Sequence, residues 1–333
     1  MRKSIWLLAL GLLAACNFPV VRSGDLLGTA VAGTLAAQPS PTVTPPTTAT
    51  PGADAPPAGK IVYVCQYSER VERNQICLIN ADGSGQRVLT SGGEYDDFFP
   101  SISPDGRYAL FVSSRAGRYQ VYQLDIEGDQ LTQLSNLPGL RVYAPAVSPN
   151  NQFIVVYVEG SGAFPGSHNL WLMNRDGSDA HPITSRPGGA WDPSWAPDGS
   201  RIMFASMQDG LPQLFSIRPD GSDVQQITNI AGIRGRNDWS PDNTVISTYV
   251  GFSWDREITL FDIDGSNPRA ITDGGNNLAP SFSPDGKWIV FMSYRDHPRR
   301  TLGCEIYIMR VDGSDVRRLT DNDICDWQPR WGP

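Results

Sequence analysis

Histidine is scarce in this 333-residue chain, which has three. His168, His181 and His297 are widely separated, and no His₃ or His₂-carboxylate spacing of a metal site joins them. Positive charge is also short, with 27 Lys and Arg against 35 Asp and Glu and a formal net charge of −8. Phosphate backbones are held by clustered Lys and Arg, so nucleic acid is excluded as a partner. No Gly-x-Ser-x-Gly elbow occurs, and the Asp-Gly pairs lack the Asp-x-Asp-x-Asp-Gly and distant Glu of a calcium loop. Neither a metal nor a cofactor is expected. The N-terminal apolar run Ile5–Leu13 is about half the length that spans a bilayer.

What the N-terminus does contain is a targeting signal. Arg2 and Lys3 precede the apolar run, so residues 1–15 read as a signal peptide. Leu13-Ala14-Ala15-Cys16 resembles the lipobox of bacterial lipoproteins. That resemblance implies an acylated Cys16, an exported chain, and membrane attachment through the lipid at the cell envelope. Residues 16–59 form a linker, because "QPSPTVTPPTTATPGADAPPAG" has almost nothing to bury. Within it Leu26, Leu27, Val31 and Leu35 have the spacing of a short helix. Forty-odd flexible residues reach about 35 Å, enough to hold a domain clear of lipid.

Beyond residue 60 the chain repeats itself. "PSFSPDGKWIVFMS" returns as "PSISPDGRYALFVS", "PSWAPDGSRIMFAS" and "NDWSPDNTVISTY". The turn prolines are Pro104, Pro149, Pro197, Pro241, Pro284 and Pro333, spaced by 45, 48, 44, 43 and 49 residues. A second turn carries Gly83, Gly128, Gly177, Gly221, Gly265 and Gly313, each followed by a short strand ending near "LT" or "IT". Pro presets φ in the first turn, and Gly after Asp suits a hairpin residue of positive φ in the second. Each unit therefore holds four strands, A to D, with a period of 40–50 residues characteristic of a propeller blade.

The ends of the repeat close a ring. The first unit has strands B, C and D without A, while the final "PRWGP" is a strand A with nothing after it. Pairing the two removes an exposed edge. The expected fold is all-β, a six-bladed β-propeller of four-stranded blades over residues 60–333, closed by the C-terminal strand completing the first blade.

These residues carry a family resemblance. "PSWAPDGSRIMFAS…LFSIRPDGSDVQQIT" resembles the WD-like "PD" repeat of TolB-type six-bladed propellers, over about 270 residues. The resemblance implies the fold and a partner-binding propeller. TolB proteins carry an α/β domain ahead of the propeller, and a Pro/Thr-rich linker stands there in this chain.

In an up-and-down blade the A–B and C–D turns share one face, and the B–C and D–A loops the other. The second set is long and varied, including "GFSWDRE", "IAGIRGRN" and "DNDICDWQ", and such variety on a rigid scaffold marks the functional face. Asp97, Trp191, Asp192, Arg236, Asp326 and Trp327 stand just ahead of the inner strands there, with Asp238 in the next strand. They are expected around the mouth of the central channel as candidate ligand-binding residues. His168 and His297 fall in B–C loops of blades three and six, and His181 in a D strand.

Four cysteines remain after Cys16: Cys65, Cys77, Cys304 and Cys325. All map to the mouth face of the two blades meeting at the closure. An exported chain can oxidise them. Cys65–Cys77 with Cys304–Cys325 is the favoured pairing, Cys65–Cys325 is its main rival, and free buried thiols are the alternative.

Two functions fit. One is a non-catalytic scaffold binding a protein partner, or a glycan, through the channel mouth. The other is a glycan- or peptide-acting hydrolase using acids at that mouth.

Overall fold

The computed structural model describes residues 56–68, 71–90, 94–160, 168–208, 210–298 and 303–333. The signal segment, Cys16, the linker to residue 55 and the expected helix near Leu26–Leu35 lie outside the described residues. Among the described residues there are 24 strands and no helix, in six four-stranded antiparallel sheets.

Blade one is β24 (Trp327–Gly332), β1 (Lys60–Ser68), β2 (Val71–Asn80) and β3 (Arg87–Val88), counted from the axis outward. Blade two is β4 (Asp97–Ile102), β5 (Tyr108–Ser113), β6 (Gln120–Asp125) and β7 (Leu131–Gln133). Blade three is β8 (Arg141–Val147), β9 (Phe153–Glu159), β10 (His168–Asn174) and β11 (His181–Pro182). Blade four is β12 (Trp191–Trp195), β13 (Ile202–Gln208), β14 (Leu211–Ile217) and β15 (Gln225–Gln226). Blade five is β16 (Asp238–Trp239), β17 (Val245–Phe252), β18 (Asp255–Asp262) and β19 (Arg269–Ala270). Blade six is β20 (Asn277–Phe282), β21 (Trp288–Ser293), β22 (Glu305–Arg310) and β23 (Arg317–Arg318).

The repeated motifs have local causes. In the Ser-Pro-Asp-Gly turn of blade six, the Ser283 hydroxyl donates to Asp285 at 2.6 Å and accepts from the Trp288 N–H at 2.9 Å. Ser103 and Ser240 do the same in blades two and five. In five blades the threonine hydroxyl of the "LT" or "IT" motif accepts a strand C backbone N–H, as Thr90 does from Ile76 at 2.9 Å and Thr320 from Ile306 at 2.9 Å, and in blade two Ser135 takes that place for Val121. Strands D hold two or three residues, so this bond stands in for the ladder they lack.

The Asp-Gly glycines have a second reason to be glycine. Gly177 has φ of +87°, and a Cβ there would collide with the Leu134 carbonyl of the preceding blade. The turn is thus wedged against a neighbour as well as bent. Blade two departs from the expected pattern, because the positive φ falls on Asp129 (+51°) rather than Gly128. There the turn closes by a bond from the Asp129 N–H to the Asp125 carbonyl.

The core is divided among the gaps between blades. Each of six apolar clusters is shared by two consecutive blades, for example Val155, Leu170, Ile202 and Phe204 between blades three and four. Central strands B and C are buried on both faces, so they read as continuous apolar runs such as Trp288–Met292.

The sixth gap is the closure. In β24, Trp331 pairs with Ile61 and Arg330 with Val62, and the Trp331 indole donates to the Ala58 carbonyl at 2.9 Å. Its apolar cluster joins Ile61, Tyr63 and Ile79 to Trp288, Val290, Ile306 and Trp331. Both favoured disulfides are present, Cys65–Cys77 with Cα atoms 5.8 Å apart and Cys304–Cys325 at 4.5 Å. All four sulfurs line this same cluster.

Candidate functional site

The inner strands carry a feature that sets up the channel. Each blade has one non-glycine residue of left-handed φ five residues before its turn proline, in the inner strand or, for blade five, just ahead of it: Phe99, Ala144, Asp192, Arg236, Ala279 and Gln328, between +35° and +53°. In five blades the strand register breaks there and the next residue is proline, namely Pro100, Pro145, Pro193, Pro280 and Pro329. Proline cannot donate to a ladder, so it sits where pairing is interrupted. Left-handed φ in an L residue costs roughly 1 kcal/mol or more, so strain is gathered in one ring around the axis.

These residues join neighbouring blades around the axis, and Arg236 also reaches across it. The Gln328 side chain accepts from the Phe99 N–H at 2.9 Å, and Asp192 accepts from the Arg236 N–H at 3.0 Å. The Arg236 guanidinium donates to the Gln328 carbonyl at 3.4 Å and stacks 5.3 Å above the Phe99 ring. Arg330 donates to the carbonyls of Pro280 and Asn237 at 3.2 and 3.3 Å. Backbone groups on the axial edge of the inner strands thus find partners on other blades.

Of the seven candidate residues, the structure brings Trp191, Asp192 and Arg236 together. Gly235 makes this possible, since a Cβ on it would lie 2.6 Å from the Asp192 carboxylate and 3.0 Å from the Trp191 indole nitrogen. Asp238 faces blade six, accepting from the Phe282 N–H at 2.9 Å. Burial raises its pKa against the opposing pull of Arg330. Asp97 stands apart, buried in a two-pronged ion pair with Arg115 at 2.9–3.0 Å. Asp326 is also buried apart from Arg236, taking a bond from Asn322 at 2.8 Å. Burial, and then the Glu305 charge, lift it to about 7. Trp327 packs between the apolar clusters on either side of blade one.

Charge in the mouth is unevenly compensated. Arg236 is 6% exposed and its Nε has no partner. Burial, and then the neighbouring Arg330, bring its pKa down to about 9, with Asp192 opposing. Burial pushes the Tyr249 hydroxyl up to about 12, with Asp192 adding to the rise and Arg256, Arg236 and Arg234 opposing it.

Aromatic groups flank this centre. Toward blades two and three, Tyr143 stacks on Tyr157 at 5.0 Å, and Tyr157 meets His168 edge-on at 5.6 Å. His168 is the first residue of β10 rather than part of the preceding loop, and burial lowers its pKa. Toward blade six, the β17–β18 hairpin exposes Phe252 (56%) and Trp254 (43%), the latter edge-on to Tyr294 at 5.1 Å.

Sequence reading missed Phe99, Arg234, Tyr249, Phe252, Trp254, Arg256 and Arg330. A signal for the channel ring existed, because a proline stands four residues before the turn proline in five units. Contacts across the axis left no such trace.

The TolB beta propeller domain model matches residues 52–333. The chain belongs to this family. An uncharacterized protein of Agrobacterium fabrum is 26% identical over 264 residues, which are 78% of this chain and 70% of that one. The Tol-Pal system protein TolB of Francisella tularensis is 22% identical over 284 residues, covering 82% of this chain and 63% of its own length. The chain thus spans less than two thirds of that TolB. The crystal structure of TolB from Acinetobacter baumannii superposes with a TM-score of 0.71 at 22% identity, over 83% of this chain and 67% of that one. At that identity the likeness is one of fold.

Proposed function

We propose that this TolB-family propeller is a non-catalytic scaffold that binds a protein partner through its mouth face. The observation that carries the reading is the placement of exposed aromatics. Among the described residues, Tyr95, Phe252 and Trp254 are the exposed aromatic side chains; Tyr95 lies on a D–A connection, Trp254 on a B–C connection, and Phe252 ends the strand β17 that leads into it. Exposed large apolar groups elsewhere are aliphatic, such as Leu131, Ile263 and Val316. Trp, Tyr and Arg are the residues that anchor protein interfaces. The name of the Francisella relative, a protein of the Tol-Pal system, points the same way.

The carboxylates support binding over chemistry. Asp97 is held by Arg115, Asp192 by the Arg236 N–H, Asp238 by the Trp239 and Phe282 N–H groups, and Asp326 by Asn322. A glycosidase needs two carboxyl groups facing one bond, one of them free to move a proton. Glycan and peptide panels are expected to give no turnover. Turnover abolished by Asp192→Asn or Asp238→Asn would establish the hydrolase instead.

We place the chain in the cell envelope, with residues 1–15 as signal, Cys16 as lipid anchor, and residues 16–59 as tether for the propeller at 60–333. Cys16→Ser is expected to release the protein from membranes without detergent. A variant still membrane-bound after high-salt washing would refute the anchor. For the binding face, Phe252→Ala with Trp254→Ala should abolish partner capture while leaving the melting temperature unchanged.

A further inference from the structure

The blade-five side of the mouth gathers three arginines whose guanidinium groups have no carboxylate partner. Arg234 and Arg236 come from the D–A connection ahead of β16, and Arg256 from the second position of β18. Among the described residues, none of the three guanidinium groups has a carboxylate oxygen within 4.0 Å, although the Arg236 backbone N–H donates to Asp192. Arg234 donates from Nε to the Gly251 carbonyl at 3.2 Å and lies 5.1 Å over the Phe252 ring. Arg236 makes its single 3.4 Å bond to a carbonyl, and the Nε atoms of Arg236 and Arg256 are buried without a partner. By contrast Arg87, Arg107, Arg115, Arg141, Arg201, Arg269, Arg317 and Arg318 pair with Asp or Glu, while Arg175, Arg295 and Arg330, in other blades, donate to neutral oxygens.

The nearby carboxylates are turned to other work. Asp192 takes the Arg236 N–H, Asp238 takes the Phe282 N–H, and Glu257 holds Thr272, the Gly274 N–H and Asn277. Asp255 is exposed at the start of β18, beside the hairpin tip. Buried guanidinium donors left without acceptors are costly unless something supplies them. The planar fork of Arg matches a carboxylate with two parallel bonds, and Phe252 and Trp254 border the same spot with apolar surface.

We propose that the blade-five side of the mouth recognises an acidic segment of a protein partner, its carboxylates taken by Arg234, Arg236 and Arg256 and its apolar flank by Phe252 and Trp254. This rests on the partner-binding reading above and adds the chemistry of the partner. A polypeptide is favoured over an anionic membrane because Arg236 is 6% exposed, and a flat surface has no single side chain to send to a buried guanidinium.

The test is a selection of random-sequence peptides on the full-length protein, repeated on Arg234→Gln/Arg256→Gln and on Phe252→Ala/Trp254→Ala. Wild type should enrich peptides rich in Asp and Glu beside apolar residues, binding more weakly as salt rises. Affinity for those peptides should fall roughly tenfold or more with the arginine variant, as for loss of charge-assisted bonds, and partly recover with Arg256→Lys. Gln-for-Glu versions of the selected peptides should lose a similar factor. Selection of peptides that lack acids yet depend on Phe252 and Trp254 would overturn this inference and keep the partner-binding reading. Selection of no peptide at all would overturn both. Arginine-dependent binding to phosphatidylglycerol vesicles, with no acidic peptide selected, would assign the arginines to a membrane and overturn the proposal.

Discussion

The guanidinium of Arg236, on blade five, lies 5.3 Å above the ring of Phe99, on blade two, so one side chain bridges opposite sides of the channel. The same group reaches the Gln328 carbonyl of blade one at 3.4 Å. A buried cation with one long bond contributes little net stability, because its desolvation offsets what the bond returns. Arg236→Met is therefore expected to change stability by about 1 kcal/mol or less while abolishing partner binding. Calorimetry beside a binding assay separates the two. A loss of about 3 kcal/mol or more would make Arg236 a structural strut.

Gly177 and Gly117 both have positive φ, at +87° and +77°, but different surroundings. A Cβ on Gly117 meets nothing within 4 Å, whereas one on Gly177 strikes the Leu134 carbonyl. Gly117→Ala should cost about 1 kcal/mol, the conformational term alone. Gly177→Ala should cost at least twice as much, because backbone of the preceding blade must move. Equal losses in chemical denaturation would mean that the blades are not wedged at this turn.

Reduction of the disulfides should act first at the closure. Cys65–Cys77 and Cys304–Cys325 close loops with sequence separations of 12 and 21, both bordering the gap between blades six and one. Each stabilises by about 3 kcal/mol in the chain-entropy account, before any strain is subtracted. Cys304→Ser/Cys325→Ser should lower the melting temperature and speed hydrogen exchange around Trp327 and Trp331 before other blades respond. Unchanged protection there would leave the closure to hydrogen bonds and packing alone.

Asp326 should make stability fall toward neutral pH. Folding raises its pKa from 3.8 to about 7, by burial and then by Glu305, so the folded chain binds the extra proton between those values. Stability is then lost as pH rises through that window. The turn residues Asp176, Asp220 and Asp312 act oppositely, since Ser hydroxyl and backbone N–H donors lower their pKa and their contribution disappears as pH falls below the ordinary carboxylate range. His168, whose pKa burial lowers, opposes this by gaining stability as pH rises toward its ordinary value, so the test is the difference: relative to the parent, Asp326→Asn should gain melting temperature steadily from about pH 5 to about pH 7.5. A variant with the parent's slope would place the titrating group elsewhere.

Much of the fold was legible in the chain. A proline and a glycine at fixed offsets, with apolar runs between them, specify four strands and their turns within some 45 residues. Those signals are local, since φ at Pro104 or Gly177 depends on its neighbours in sequence. The missing strand A at one end and its surplus at the other told how the ring closes. Cysteine positions at that closure narrowed the pairing, because strands B and C of one blade are adjacent whatever the ring does.

The mouth was only partly legible, for a geometric reason. Alternation along a strand tells which residues are buried, but not which of six inner strands faces which across an axis. Asp97 and Asp192 both precede their inner prolines, yet Asp97 turns to Arg115 in its own blade and Asp192 to Arg236 in the next. Blade count, strand order and closure were thus determined by the sequence alone, through turns and alternation that act over a few residues. Ring curvature decided the rest, bringing Phe99, Asp192, Arg236 and Gln328 from four blades to one axis, where burial and charge set what each can bind.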